Sequence, residues 1–142
     1  MTTPWFYWAL LSAVFAALTA IFAKVGIKNI DSDFATLIRT VIIFFVLTAF
    51  VLLTKKWTNP FTLQGKTWLF LLLSGLATGA SWVCYFRALK IGEASSVAPV
   101  DKFSVVLVTI FAVIFLGERP GVKDWFGIAL VGIGVIVLAL KK

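Results

Sequence analysis

The sequence predicts an all-α integral membrane protein of five transmembrane helices, on three observations. Hydrophobic side chains make up 61% of the 142 residues and charged ones only 13%, about half the charged share of a soluble domain. The mean hydropathy of +1.05 marks a surplus of apolar surface that lipid, rather than a protein core, must receive. Nearly uncharged runs of about 20 residues recur along the chain, the length that crosses a ~30 Å hydrocarbon layer at 1.5 Å per residue.

Taken in order, the spans fall at about 5–27, 34–53, 68–88, 94–116 and 122–140. The first is uncharged from Trp5 to Ala23 and continues through Lys24. It lacks a basic leading region and is too long for a signal-peptide core, so it is expected to stay as a helix. The second contains Arg39, and the third is uncharged from Trp68 to Phe86. The fourth carries Pro99, Asp101 and Lys102 in its first half, and the fifth has Lys123 and Asp124 at its mouth. The segments between them are short and rich in turn residues, with Asn59 and Pro60, Gly92, and Gly117 to Gly121 as punctuation. Residues 1–142 thus read as a single transmembrane domain.

The formal charge of +7 would suggest nucleic acid in a soluble protein. In a chain this apolar it meets lipid phosphate instead, so no nucleic-acid partner is expected. One cysteine, Cys84, and no histidine leave no disulfide framework within the chain and no set of soft metal ligands. No cofactor and no metal are expected, and Cys84 reads as a packing residue. Gly75 and Gly79, and the stripe Ser12, Ala16 and Ala20, read as ordinary helix-packing positions.

An odd number of spans puts the termini on opposite sides of the membrane. The N-terminal side holds Lys55, Lys56, Lys66, Arg119 and Lys123, and the C-terminal side Lys24, Lys28, Arg87, Lys90, Lys141 and Lys142. Five basic residues against six carry no strong instruction for orientation, because an excess of Lys and Arg in short loops is what fixes it. Tryptophan is less even: Trp5, Trp8, Trp57, Trp68 and Trp125 lie toward the first side, and Trp82 alone toward the second.

Ionisable groups within a bilayer cost about 2.5 to 3.5 kcal/mol each on insertion scales, so each requires a reason. Arg39, Asp101 and Lys102 qualify. Arg39 and Asp101 both lie roughly 8 to 10 Å below the C-terminal side, counted at 1.5 Å per residue from their span ends. Trp82 and Tyr85 reach a similar level on the third span. Arg39, Trp82, Tyr85, Asp101 and Lys102 are therefore the candidate substrate-binding residues, with Asp101 also a candidate proton-coupling group. Two placements of Asp101 remain open. A fourth helix starting near Ala94 would have Pro99 inside it and a kink beside the charge; one starting at Pro99 would put Asp101 in its first turn, facing the macrodipole. Lys24 and Arg87 read as snorkelling anchors. With Lys24, Arg39, Arg87, Lys90 and Lys102 outnumbering Asp101 and Glu93 at this end, a substrate bearing a carboxylate or phosphate is slightly favoured.

The run Tyr85-Phe86-Arg87-Ala88-Leu89-Lys90-Ile91-Gly92-Glu93-Ala94-Ser95-Ser96-Val97-Ala98-Pro99-Val100, and the Leu116-Gly117-Glu118 ending of the next apolar span, closely resemble the EamA-like domain of the drug/metabolite transporter superfamily. The glycine-rich last span, Gly127 to Leu140, is similar as well, so the resemblance covers essentially the whole chain. Most members of that family look like two inverted repeats of five spans each, whereas this chain has one repeat, which implies a partner. Asp101 and Lys102 depart from the small or polar residues that many members carry after the Ala-Pro motif.

The expected function is secondary transport of a small metabolite across the cell (inner) membrane by a homodimer. The loop-charge balance permits inverted subunits, with a parallel dimer as the rival arrangement. The alternative is a non-transporting membrane subunit that scaffolds or assembles another complex. No enzyme is expected, since the sequence offers no nucleophile–base pair, metal cluster or phosphate-cradling glycine loop.

Overall fold

The computed structural model describes residues 4–140 and is helical throughout its ordered elements. Helix α1 spans Pro4–Gly26, α2 Ser32–Leu53, α3 Gly65–Ile91, α4 Ala94–Asp101, α5 Ser104–Phe115 and α6 Val122–Ala139. Among the described residues five segments are long and apolar enough to cross a membrane, α4 and α5 together making one of them. The protein is an all-α integral membrane protein. Lys141 and Lys142, which entered the count of loop charges, lie outside the described residues.

The ends of the helices differ from the limits of the apolar runs for local reasons. Helix α2 starts two residues before Phe34 because Asp31 caps it, its carboxylate accepting from the Asp33 and Phe34 amides. Helix α3 extends beyond its apolar run at both ends, taking in Lys66 and Lys90. Its 27 residues are about 40 Å long, enough to carry both lysines to the headgroup level. The linker before it is fastened by a short 3₁₀ turn at Pro60–Thr62, capped by Asn59, whose Pro60 carbonyl accepts from the Trp68 indole at 3.0 Å.

Of the two placements open for Asp101, the structure has the helix that begins at Ala94. Pro99 lies inside α4, and without an N–H it leaves the Ser95 carbonyl short of its usual donor. Two residues later the helix stops. The Lys102 and Phe103 amides bond to carbonyls three residues back, at Pro99 and Val100, and those of Val105 and Val106 repeat the pattern. This is a 3₁₀ constriction between α4 and α5, the form a helix takes when its regular ladder is interrupted.

The chain divides into two compact units, one of residues up to Ile21 with those from Ile91 onward, the other Phe22–Lys90. In the first, α6 packs on α4 and α5. The packing is close at Gly132, where a Cβ would meet the Val106 side chain at 3.3 Å. Gly75 and Gly79, expected to serve packing, have open space around them, and Cys84 is exposed rather than packed.

In the second unit the ends of α1 and α3 and the start of α2 meet, and side chains of each satisfy backbone of another. Lys24, in the last turn of α1, donates to the Leu89 carbonyl at the end of α3. Lys90, in the last turn of α3, donates to the Ile27 and Ile30 carbonyls in the turn after α1 and reaches that of Lys28 at 3.3 Å. A helix C-terminus presents carbonyls without intrahelical donors and a partial negative charge, so each lysine caps the other helix's end. Arg87 adds a two-point contact to Asp33, Nε to Oδ1 at 2.9 Å and Nη2 to Oδ2 at 2.7 Å. The buried residues Ile27, Ser32, Ala35, Thr36, Phe86 and Leu89 all lie within two turns of this junction.

Lys24 and Arg87 are thus not simple snorkelling anchors, because their head groups are bound by protein oxygen. Removing the ammonium strands carbonyls at the junction, so Lys90→Met should destabilise the protein by about 1 kcal/mol and Lys90→Arg by less. Thermal unfolding in detergent measures both; a Lys90→Met midpoint equal to wild type would contradict the cap.

Candidate functional site

Ser32, Ala35, Thr36 and Arg39 recur at the three- and four-residue spacing that places side chains on one face of α2. The first three are buried and small, and Arg39 reaches α3 through its guanidinium. Thr36 Oγ1 turns back to the Ser32 carbonyl at 2.9 Å, which disposes of its hydroxyl inside the helix. Arg39 stands seven residues past the first residue of α2, about 10 Å along the axis.

On α3 the matching face is Trp82, Tyr85, Phe86 and Leu89. The Arg39 guanidinium carbon lies 4.6 Å from the centroid of the Trp82 ring and 5.0 Å from that of Phe86. Both are cation–π distances, and the two rings are one helical turn apart. The Tyr85 phenol is within electrostatic reach of the same guanidinium. Arg39, Trp82 and Tyr85 are all half-buried. Of the six tryptophans, the other five are exposed, as expected of rings at the headgroup level. Trp82 is the one committed to the protein.

The face of an aromatic ring attracts a cation but offers no oxygen acceptor to the five N–H donors of a guanidinium. Among the described residues Arg39 makes no hydrogen bond and no ion pair; the guanidinium–carboxylate pair is Arg87 with Asp33. The arrangement holds the cation against two aromatic rings and, among the described residues, leaves its N–H groups without a protein oxygen.

The structure therefore brings together three of the residues that sequence depth singled out, Arg39, Trp82 and Tyr85. Asp101 is the last residue of α4 and Lys102 lies in the 3₁₀ constriction; both are exposed and belong to the other unit. Phe86 is the member of the site that the sequence did not single out. It is 2% exposed, and only its place four residues after Trp82 could have pointed to it.

The charge excess counted at this end also needs correcting. Asp33 neutralises Arg87, and Lys24 and Lys90 are engaged by carbonyls, so three of the five cations in that count serve the junction. An open depression farther along α3, lined by Gly65, Trp68, Leu69, Leu71 and Leu72, is apolar throughout. Its nearest member is ten residues from Trp82, about 15 Å along the helix.

Compared with known proteins, residues 3–140 match the EamA-like transporter family. An uncharacterized transporter in the cobO 3′ region of Sinorhizobium sp is 59% identical over 140 residues, 99% of each chain. The probable 4-amino-4-deoxy-L-arabinose-phosphoundecaprenol flippase subunit ArnE of Proteus mirabilis (strain HI4320) is 26% identical over 88 residues, 61% of this chain and 78% of that one. The subunit of the same name from Yersinia pestis (strain Pestoides F) is 28% identical over 69 residues, 49% of this chain and 60% of that one. No solved structure matches the chain significantly.

Proposed function

The chain belongs to the EamA-like transporter family, and from that premise we propose that it is a secondary transporter of a small metabolite, working as a homodimer. The observation that carries the reading is Arg39: a half-buried guanidinium inside a membrane-spanning helix, backed by Trp82 and Phe86 and without a protein carboxylate. Intramembrane charge is costly and marks substrate pathways. Arg39, Trp82 and Tyr85 bind the substrate in this reading and Phe86 supports them, while Asp101, at the break in the fourth span, is the candidate proton-coupling group. Interrupted helices beside charged groups are a recurring transporter device. The bacterial relatives support the cell (inner) membrane as the location, and their names support transport rather than catalysis.

Two facts support assembly from two copies. The Sinorhizobium relative is matched over 99% of its own length, so a transporter of that name is no longer than one five-span repeat. Within each spanning helix the most apolar stretch is at most 11% buried, which leaves extensive surface for a second copy as well as for lipid. An inverted pair is the proposed arrangement, because an odd number of spans reproduces a two-repeat, inverted architecture only when one copy is turned over. The printed name of the Proteus relative, a flippase subunit, favours one other reading, in which the chain is a subunit of a mixed assembly that does not transport alone.

Purified protein in proteoliposomes should accumulate at least one member of a labelled-metabolite panel above empty vesicles. Uptake that appears only with a second polypeptide would establish the subunit reading instead. A C-terminal tag probed with a membrane-impermeant reagent on intact cells should be reached in about half the molecules, since dual insertion yields both orientations. Uniform labelling, or none, contradicts the inverted pair.

Asp101→Asn is expected to abolish pH-driven uptake while leaving the protein folded. Uptake by that variant with unchanged pH dependence would remove Asp101 from the coupling mechanism.

A further inference from the structure

Five charged side chains around the α1–α2–α3 junction have polar partners, and the half-buried Arg39 meets aromatic rings instead. Asp31 caps α2, Asp33 and Arg87 hold one another, and Lys24 and Lys90 are bound by carbonyls. Arg39 meets the faces of two rings and, among the described residues, no oxygen acceptor. We propose that Arg39 binds an oxyanion, the carboxylate or phosphate of the ligand, through N–H groups for which the protein supplies no oxygen acceptor among the described residues. The proposal rests on the reading that ligand is held along α2 and α3, and it names the chemical class bound there.

Three features carry it. Burial beside aromatic rings raises the value of each hydrogen bond the guanidinium makes, because water competes less. Contact with Trp82 and Phe86 at 4.6 and 5.0 Å restricts the guanidinium, so less freedom remains to be lost when a planar carboxylate or a phosphate takes two parallel N–H bonds. The carboxylate nearest in the local pattern, Asp33, is already held at two points by Arg87. Trp82 and Phe86 are positioning residues in this account.

An oxyanion can come from a soluble substrate or from a lipid headgroup, and the test has an arm for each. The full chain is placed in nanodiscs of phosphatidylcholine, and its thermal midpoint is followed with inorganic phosphate or acetate against chloride at equal ionic strength. A second set of discs includes phosphatidylglycerol. A soluble oxyanion should raise the wild-type midpoint saturably; the apparent affinity should fall at least about tenfold in Arg39→Lys, which keeps the charge and loses the planar fork, and the response should vanish in Arg39→Gln. Trp82→Phe should bind more tightly than Trp82→Leu. An Arg39-dependent rise with phosphatidylglycerol alone supports the proposal with lipid as the source.

Each variant is first checked for helical content and a monodisperse elution, so a lost response is not lost folding. Should neither phosphate, acetate nor phosphatidylglycerol shift the midpoint in an Arg39-dependent way, the proposal is overturned. Binding through Arg39 without uptake in proteoliposomes would sink the transport reading alone. Uptake that survives Arg39→Gln unchanged would sink the oxyanion proposal and the place of Arg39 in the substrate site, and leave transport itself standing.

Discussion

Two helices that end at one place put two sets of donor-less carbonyls side by side, and the arrangement persists only if cations are supplied there. Here the helices supply them to each other, Lys24 of α1 to the end of α3 and Lys90 of α3 to the turn after α1. In water this exchange would be a modest surface effect. At a membrane interface, next to buried Ile27 and Leu89, the alternative is carbonyls with poor access to solvent. The remaining local geometry is counted from this junction: Asp33 to Arg87 sets α2 against α3, and Arg39 arrives opposite Trp82 and Phe86 less than two turns farther along α2.

The same economy explains why so few residues of this unit are buried. A lipid-exposed helix gains little from hiding leucine, since lipid tails are as apolar as protein. Specific contact is left to small residues and polar bonds. On α2 the small residues are Ser32, Ala35 and Thr36, and the polar bonds are those of the junction. In the other unit the close approach falls at Gly132 against Val106. The fourth span is interrupted beside Asp101, so the backbone is irregular where the Asp101–Lys102 pair enters an apolar stretch.

Much of this was legible in the sequence because a bilayer imposes length and polarity directly. The five spans follow from long, nearly uncharged apolar runs. Arg39 and Trp82 stood out because a charge and a lone tryptophan at one depth are costly or unusual. Pro99 announced a break, although the constriction falls at Lys102 and Phe103 rather than at the proline itself. What could not be read was the identity of partners. Arg87 and its carboxylate are 54 residues apart, and the acceptors of Lys24 and Lys90 are backbone carbonyls that no side-chain pattern reveals. Phe86 was hidden among 14 phenylalanines, most of which face outward, and Gly75 and Gly79 carried a packing pattern that this chain does not use internally.

The central claim is that the junction delivers Arg39 to the faces of Trp82 and Phe86 with its N–H groups unclaimed by protein oxygen. Solid-state NMR of the protein in bilayers, with the arginine guanidinium carbon and the tryptophan ring labelled, measures this without reference to any substrate. The account predicts a ligand-free Arg39-to-Trp82 separation near 4.6 Å. A guanidinium beyond about 6 Å from the ring, outside cation–π range, and bound to a protein carboxylate would contradict it.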